Sequence, residues 1–166
     1  MPEDRQKRGL IGDFSVSENL ILGSQDTPPF VKRLRTILDV KQISTFSRDA
    51  INDFSIKTPS EDTPVQHLSG GTQQRVVLAR EFRRKPKLII ASQPTRGLDV
   101  GATEYVRNGL VEMRDRGCAI LLISADLDEI LMLSDKIAVI YEGRIVAIKP
   151  VEETNEQELG LLMGGG

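Results

Sequence analysis

The sequence predicts an α/β fold, and three observations carry the prediction. Two short apolar runs, "LIIAS" at 88–92 and "AILLIS" at 119–124, flank a stretch in which Tyr105, Val106, Leu110 and Met113 recur at helical spacing. That strand–helix–strand order implies a parallel βαβ unit with a right-handed crossover. A long amphipathic helix also starts directly behind "HLSGG", with Val76, Ala79 and Phe82 in step. Near the C-terminus, "KIAVIY-EG-RIVAI" reads as a β-hairpin turning at Glu142-Gly143.

Taken in order, residues 1–13 are polar and irregular. "FSVSENLILG" reads as a short helix stopped by Gly23, and Gln25 to Pro29 as a loop ending in two prolines. Phe30, Val31, Leu34, Ile37 and Leu38 recur at helical spacing, as do Phe46, Ala50, Ile51 and Phe54. Two amphipathic helices with a break near Lys41 are expected. "KTPSEDTP" is a loop. From residue 67 the pattern changes: a helix over Gly70 to Arg84, the 88–92 strand buried on both faces, a helix over Ala102 to Arg116 and the second buried strand. A short helix over Asp126 to Leu133, the hairpin, and a last helix to Met163 follow. Thr154-Asn155-Glu156-Gln157 fits a capping box for that last helix. The change of pattern divides the chain into 1–66 and 67–166.

The 166 residues suffice for a moderate core, and 39% apolar with 28% charged residues is ordinary for a globular protein. A net charge of −2 gives no global basic field, so nucleic acid is not an expected partner. The single cysteine, Cys118, excludes an intrachain disulfide and reads as a buried inert thiol. No run approaches the length of a membrane span, and "MPEDRQKRGL" is too charged for a signal peptide, so a cytosolic protein is expected.

The chemistry is concentrated in "HLSGGTQQRVVLAR", residues 67–80. Ser69 is placed to cap the helix while Gly70 and Gly71 leave backbone N–H groups bare. The helix dipole adds about half a positive charge there, and such an end is suited to an anion. Ser-Gly-Gly alone is equally an ordinary loop-to-helix junction. The full string Leu68-Ser69-Gly70-Gly71-Thr72-Gln73-Gln74-Arg75, however, resembles the signature of ATP-binding-cassette (ABC) ATPases, in the form seen in sugar and nucleoside importers. "KLIIASQPT" lies where that family has an apolar strand followed by Asp-Glu-Pro-Thr. "RGLDVGA" resembles its D-loop with Asp99 intact, and "AILLISADLDEI" its strand ending in Ser-His-Asp. "PEDR", with Glu3, resembles the segment at the glutamine-loop position of second cassettes.

The resemblance implies a partial P-loop NTPase cassette with a helical subdomain, using ATP and Mg²⁺. Its partners would be a second cassette and transmembrane permease subunits, at the cytoplasmic face of the cell membrane. In such pairs each nucleotide lies between the phosphate loop of one cassette and the signature of the other. Ser69, Gly70, Gly71 and Gln73 are therefore expected at ATP held by the partner, with Asp99 aligning the junction and Glu3 as a further nucleotide-side residue. Two departures matter. No Gly-x-x-x-x-Gly-Lys-Ser/Thr loop occurs, so the chain is expected to be the downstream part of a cassette and inactive by itself. Ser92 and Gln93 stand where the family has its metal-directed Asp and its Glu, and Ala125 where it has the switch His. No intact catalytic residue is then expected, and Gln93 cannot take a proton from water.

Other positions have two readings each. His67 is catalytic or a solvated loop histidine. Arg75 is a solvated helix charge or supports the signature. Lys32, Arg33 and Arg35 form a solvated basic face. Phe14, Val16 and Leu20 meet membrane subunits or pack helix to helix. Two rival functions stand beside the importer. One is a soluble ABC ATPase of DNA repair or translation, which should show long heptads or a basic surface; neither appears. The other is a non-catalytic module that keeps only the fold.

Overall fold

A computed structural model describes residues 1–32 and 37–165. Two compact units are present, Met1–Leu121 and Leu122–Gly166.

The first unit is built on α1 (Val16–Ile21), α2 (Val40–Asp53), α3 (Gly70–Arg83), β1 (Leu88–Ser92) and α4 (Val100–Asp115). Its helix starts follow local chemistry. Ser15 caps α1 in a capping box with Glu18, Asp39 caps α2 through the Gln42 N–H, and Gly23, at φ 83°, turns the chain beyond α1. One core joins α1, α2 and α3: Leu10, Val16, Leu20, Ala50, Val65, Val76, Val77 and Ala79 pack together. Helix α3 is the centre of this unit. It buries Thr72, Gln73, Gln74, Val76, Val77, Leu78, Ala79, Arg80 and Phe82, far more than one amphipathic stripe.

β1 pairs with β2 (Ala119–Ile123), which spans the division between the units. The Ala119 N–H donates to the Lys87 carbonyl at 3.0 Å, so the two strands start at the same end and run parallel. On the opposite edge of β1, the Met1 amine donates to the Ile90 carbonyl at 2.7 Å and the Ser92 N–H to the Met1 carbonyl at 3.1 Å. The Ala119 bond sets Leu88 opposite Ala119 and Ile90 opposite Leu121, and these side chains share one face.

The second unit holds α5 (Leu127–Leu133), β3 (Lys136–Tyr141), β4 (Arg144–Pro150) and α6 (Glu156–Met163). The strands form an antiparallel hairpin whose register shifts between Val139 and Ile140. Its turn is at Glu142 and Gly143, both at positive φ, as a two-residue hairpin loop requires. Ile137, Val139 and Leu159 form the core.

Several expectations are corrected. Phe30 to Leu38 does not begin as a helix: Val31 bridges Leu38 antiparallel, and the Lys32 N–H donates to the Ile37 carbonyl. Pro28 and Pro29 remove two backbone donors just upstream, and Asp39 caps α2, so the helix begins there and not after a break at Lys41. Leu34, Arg33 and Arg35 lie outside the described residues, while Lys32 is solvated. The β strands are not buried on both faces: Ile89 and Ala91 are buried, but Leu88 is 55%, Ile90 48% and Leu121 51% exposed. The cap of α6 is Asn155, which accepts from the Glu158 N–H; Thr154 instead donates to the Pro150 carbonyl. Val16 and Leu20 are core residues, so only Phe14 of that trio is open to a partner. Cys118 is buried, as expected.

Candidate functional site

The start of α3 follows from its sequence. Ser69 has extended backbone, and its hydroxyl accepts from the Thr72 N–H at 3.3 Å while lying 2.9 Å from the Thr72 hydroxyl. The Gln73 N–H closes the first turn onto the Ser69 carbonyl. The N–H groups of Gly70 and Gly71 find no acceptor among the described residues. Ser69 itself is exposed. The turn is thus an open helix end with bare donors.

A second helix start stands beside it. Asp99 caps α4 by accepting from the Ala102 N–H at 2.8 Å. A Cβ placed on Gly71 would lie 3.1 Å from the Ala102 Cβ and 3.8 Å from Asp99 Oδ2. Gly71 therefore lets the starts of α3 and α4 approach. Gln73 is buried and structural as well: it donates to the Val65 carbonyl at 3.0 Å and receives the Gln6 amide at 3.1 Å.

A cleft of about 750 Å³ opens at the carboxyl end of β1, lined by residues 2–8, Ser92 and Arg96. Ligands of parallel α/β sheets bind beyond such strand ends. Asp4 caps the π-helical turn Arg5–Gly9 by accepting from the Lys7 and Gln6 N–H groups. The Lys7 N–H, with a smaller contribution from that of Gln6, holds the Asp4 carboxyl below its ordinary value. Glu3 pairs with Arg96. Arg5, Lys7, Arg8 and Arg96 outnumber Glu3 and Asp4, so the cleft is positive. It suits an anion, since its two carboxylates are engaged, Glu3 with Arg96 and Asp4 in its cap.

The sequence-derived residues thus fall into three groups. Ser69, Gly70, Gly71, Gln73 and Asp99 gather at the paired helix starts. Glu3 and Ser92 line the cleft, and Gln93, at φ 48°, follows Ser92. Ala125 is exposed and belongs to the second unit. The donor set tests the implied groups. Two bare N–H groups at a dipole end fit a terminal phosphate of ATP. Mg²⁺ does not fit: among the described residues no three His, Cys, Asp or Glu side chains gather for a metal, and Ser92 offers no carboxylate.

Arg75 supports the region and is not simply solvated. It donates to the Phe54 carbonyl at 3.0 Å and stacks over Tyr105. His67 is exposed. Sequence reasoning overlooked Arg5, Gln6 and Arg96. The run "EDRQKR" beside a glycine was the available signal, since clustered cations need a reason to stay together.

Comparisons with known proteins bear on the family and the fold. The family profile described as ABC transporter matches residues 5–96. The chain is 48% identical to the guanosine import ATP-binding protein NupO of Bacillus subtilis, over 99% of this chain and 32% of that protein. It is 46% identical to the nucleoside import ATP-binding protein NupA of Lactococcus lactis subsp. cremoris, over 100% of this chain and 32% of that one. It is 40% identical to the ribose import ATP-binding protein RbsA of Streptococcus agalactiae, over 100% of this chain and 33% of the other. The chain therefore spans about a third of the length of the curated relatives it matches. Among solved structures, the ATP-binding cassette MJ0796, dimeric in a post-hydrolysis state with ADP and Pi, superposes with a TM-score of 0.68. The match covers 88% of this chain and 60% of that chain at 22% identity, which establishes the shared fold. The chain belongs to the ABC transporter family.

Proposed function

We propose that this chain is part of the ATP-binding subunit of an ABC importer for nucleosides or simple sugars, at the cytoplasmic face of the membrane beside its permease. The observation that carries the reading is the start of α3: an exposed capped turn whose Gly70 and Gly71 N–H groups are bare. There the chain would receive the terminal phosphate of ATP gripped by a second cassette. The cassette MJ0796, described as a dimer bound to ADP and Pi, supports pairing. The relatives named for guanosine, nucleoside and ribose import support the cargo class, nucleosides foremost.

Bound ATP supplies the anhydride bond whose cleavage drives transport. This chain's residues hold and orient: Ser69 fixes the turn, Gly70 and Gly71 present donors, and Asp99 fixes the neighbouring α4 start. No proton transfer is assigned to Ser92, Gln93 or Ala125, because none of them offers a base. Mg²⁺ and the catalytic groups at this junction belong to the partner cassette.

Ser69→Arg in the full-length protein, reconstituted with its permease, is the test. The bulky cation fills the open turn, so ATP turnover and uptake of labelled guanosine should both collapse. Normal rates of both would refute the reading.

A further inference from the structure

We propose that Arg5 is a positioning residue for the Ser69–Gly71 turn, holding it to the loop between β1 and α4, and that Gly70 is glycine to seat the Arg5 guanidinium. The inference rests on the reading that this turn serves a phosphate.

Gly70 does not owe its identity to its backbone. Its φ is not among the positive values that Gly23, Gly97, Gly117 and Gly143 adopt. Nor does helix propensity ask for glycine here, since alanine is better in a helix. What lies against it is the far end of a side chain: a Cβ on Gly70 would sit 2.8 Å from Arg5 Nη2, so the guanidinium would have to shift from its place. The other arm of the same guanidinium, Nη1, donates to the Arg96 carbonyl at 2.9 Å. One rigid fork therefore touches both loops.

The second loop is itself ordered. The Arg96 N–H donates to the Gln93 carbonyl, and the Leu98 N–H to the Thr95 carbonyl. Asp99, the α4 cap, follows immediately. A shift of the Arg96 carbonyl is thus a shift of the residue expected to align the junction. Arg5 in turn projects from a fixed base. Asp4 caps its turn, and Gln6, the next residue, binds the buried Gln73 of α3. Arg5 Nε is buried with no hydrogen-bond partner among the described residues, so its place is set by packing against Gly70 and by the Nη1 bond. Seating a guanidinium beside a positive helix end is electrostatically unfavourable, which argues that its role there is geometric.

The experiment is a double-mutant cycle in the full-length protein reconstituted with its permease: the parent, Arg5→Ala, Gly70→Ala and the double variant. Each single substitution should lower kcat about tenfold with KM for ATP little changed, and the double should be no worse than the worse single, as for residues in direct contact. Arg5→Lys, which can reach the Arg96 carbonyl without the fork, should recover part of the loss. Unfolding midpoints of all variants should match that of the parent. Additive losses, about a hundredfold in the double variant, overturn the proposal; so does an Arg5→Ala defect confined to KM, which would mark direct ATP contact. Hydrogen exchange of the Gly71 and Thr72 amides provides a readout independent of turnover: it should quicken equally in both singles and the double, and additive quickening overturns the proposal. If Ser69→Arg leaves turnover intact, the phosphate reading fails, while the exchange cycle still decides the Arg5–Gly70 coupling.

Discussion

The Arg75 guanidinium carbon lies 3.5 Å from the centre of the Tyr105 ring, and both side chains donate to one acceptor, the Phe54 carbonyl at the end of α2. Three helices meet at that oxygen: α3 gives Arg75, α4 gives Tyr105 and α2 gives Phe54. The helix that starts at the signature turn is thereby fixed to the end of the helical segment.

Arg75→Ala removes a charged hydrogen bond and a cation–π contact together, for which about 2 kcal/mol of lost stability is expected. Arg75→Lys keeps a donor and a charge but loses the planar stack, so its loss should be about half as large. Tyr105→Phe, which removes only the O–H bond, should cost about 1 kcal/mol. Urea unfolding of the three variants checks the order. Equal stability of Arg75→Ala and the parent would show that the triple junction contributes nothing.

Burial pushes the Tyr105 phenol above its ordinary value, with the nearby Arg75 opposing in part. The sign follows from linkage. The folded state favours the neutral phenol, so its contribution is whole below the unfolded value, about pH 10, and is lost as pH rises through the folded value. Stability should therefore fall above about pH 10 more steeply in the parent than in Tyr105→Phe. Denaturation midpoints across that range, with tyrosinate absorbance as a parallel signal, provide the measurement. Identical slopes would remove Tyr105 from the account.

Much of this was legible in the sequence for definite reasons. Ser69 and Gly143 act through their own backbone neighbourhood, so that cap and that turn were readable from local residues, whereas the cap at Asp99 was not read. The segment from Phe30 to Leu38 was misread because its apolar spacing fits a helix, while the Pro28-Pro29 pair and the Asp39 cap fit a different path. The strands were read as buried because composition reports apolarity, not what covers each face. Arg5 was invisible as a partner of Gly70 because 65 residues separate them and only packing joins them.

Leu88, Ile90 and Leu121 present one apolar face of the β1–β2 pair, each about half exposed. Adjacent apolar side chains of this size favour self-association in water. The 166-residue chain should therefore scatter light above monomer mass, increasingly with concentration. Ile90→Lys should shift it towards monomer with little loss of fold, since the substituted side chain already faces solvent. Val100→Lys, on an exposed valine at the start of α4, serves as the control and should leave association unchanged. A concentration-independent monomer would refute the prediction.

The residues after β1 allow the reverse experiment, restoring chemistry where it is missing. Under the proposed pairing, Ser69→Arg in the full-length protein silences the junction that this signature serves and leaves the chain's own site as the remaining source of turnover. In that background Ser92→Asp with Gln93→Glu supplies a carboxylate for a metal shell and a base for water. Ser92 lines a cleft with Arg5, Lys7, Arg8 and Arg96, so an added carboxylate there is attracted to cations and stays ionised. A general base contributes about 10²–10⁴ in rate, and with Ala125 unchanged the lower end of that range is expected. Single-turnover hydrolysis of labelled ATP measures the gain. If nucleotide binds and hydrolysis does not rise, Ser92 and Gln93 are not what silences the site, and the block lies elsewhere in the cassette.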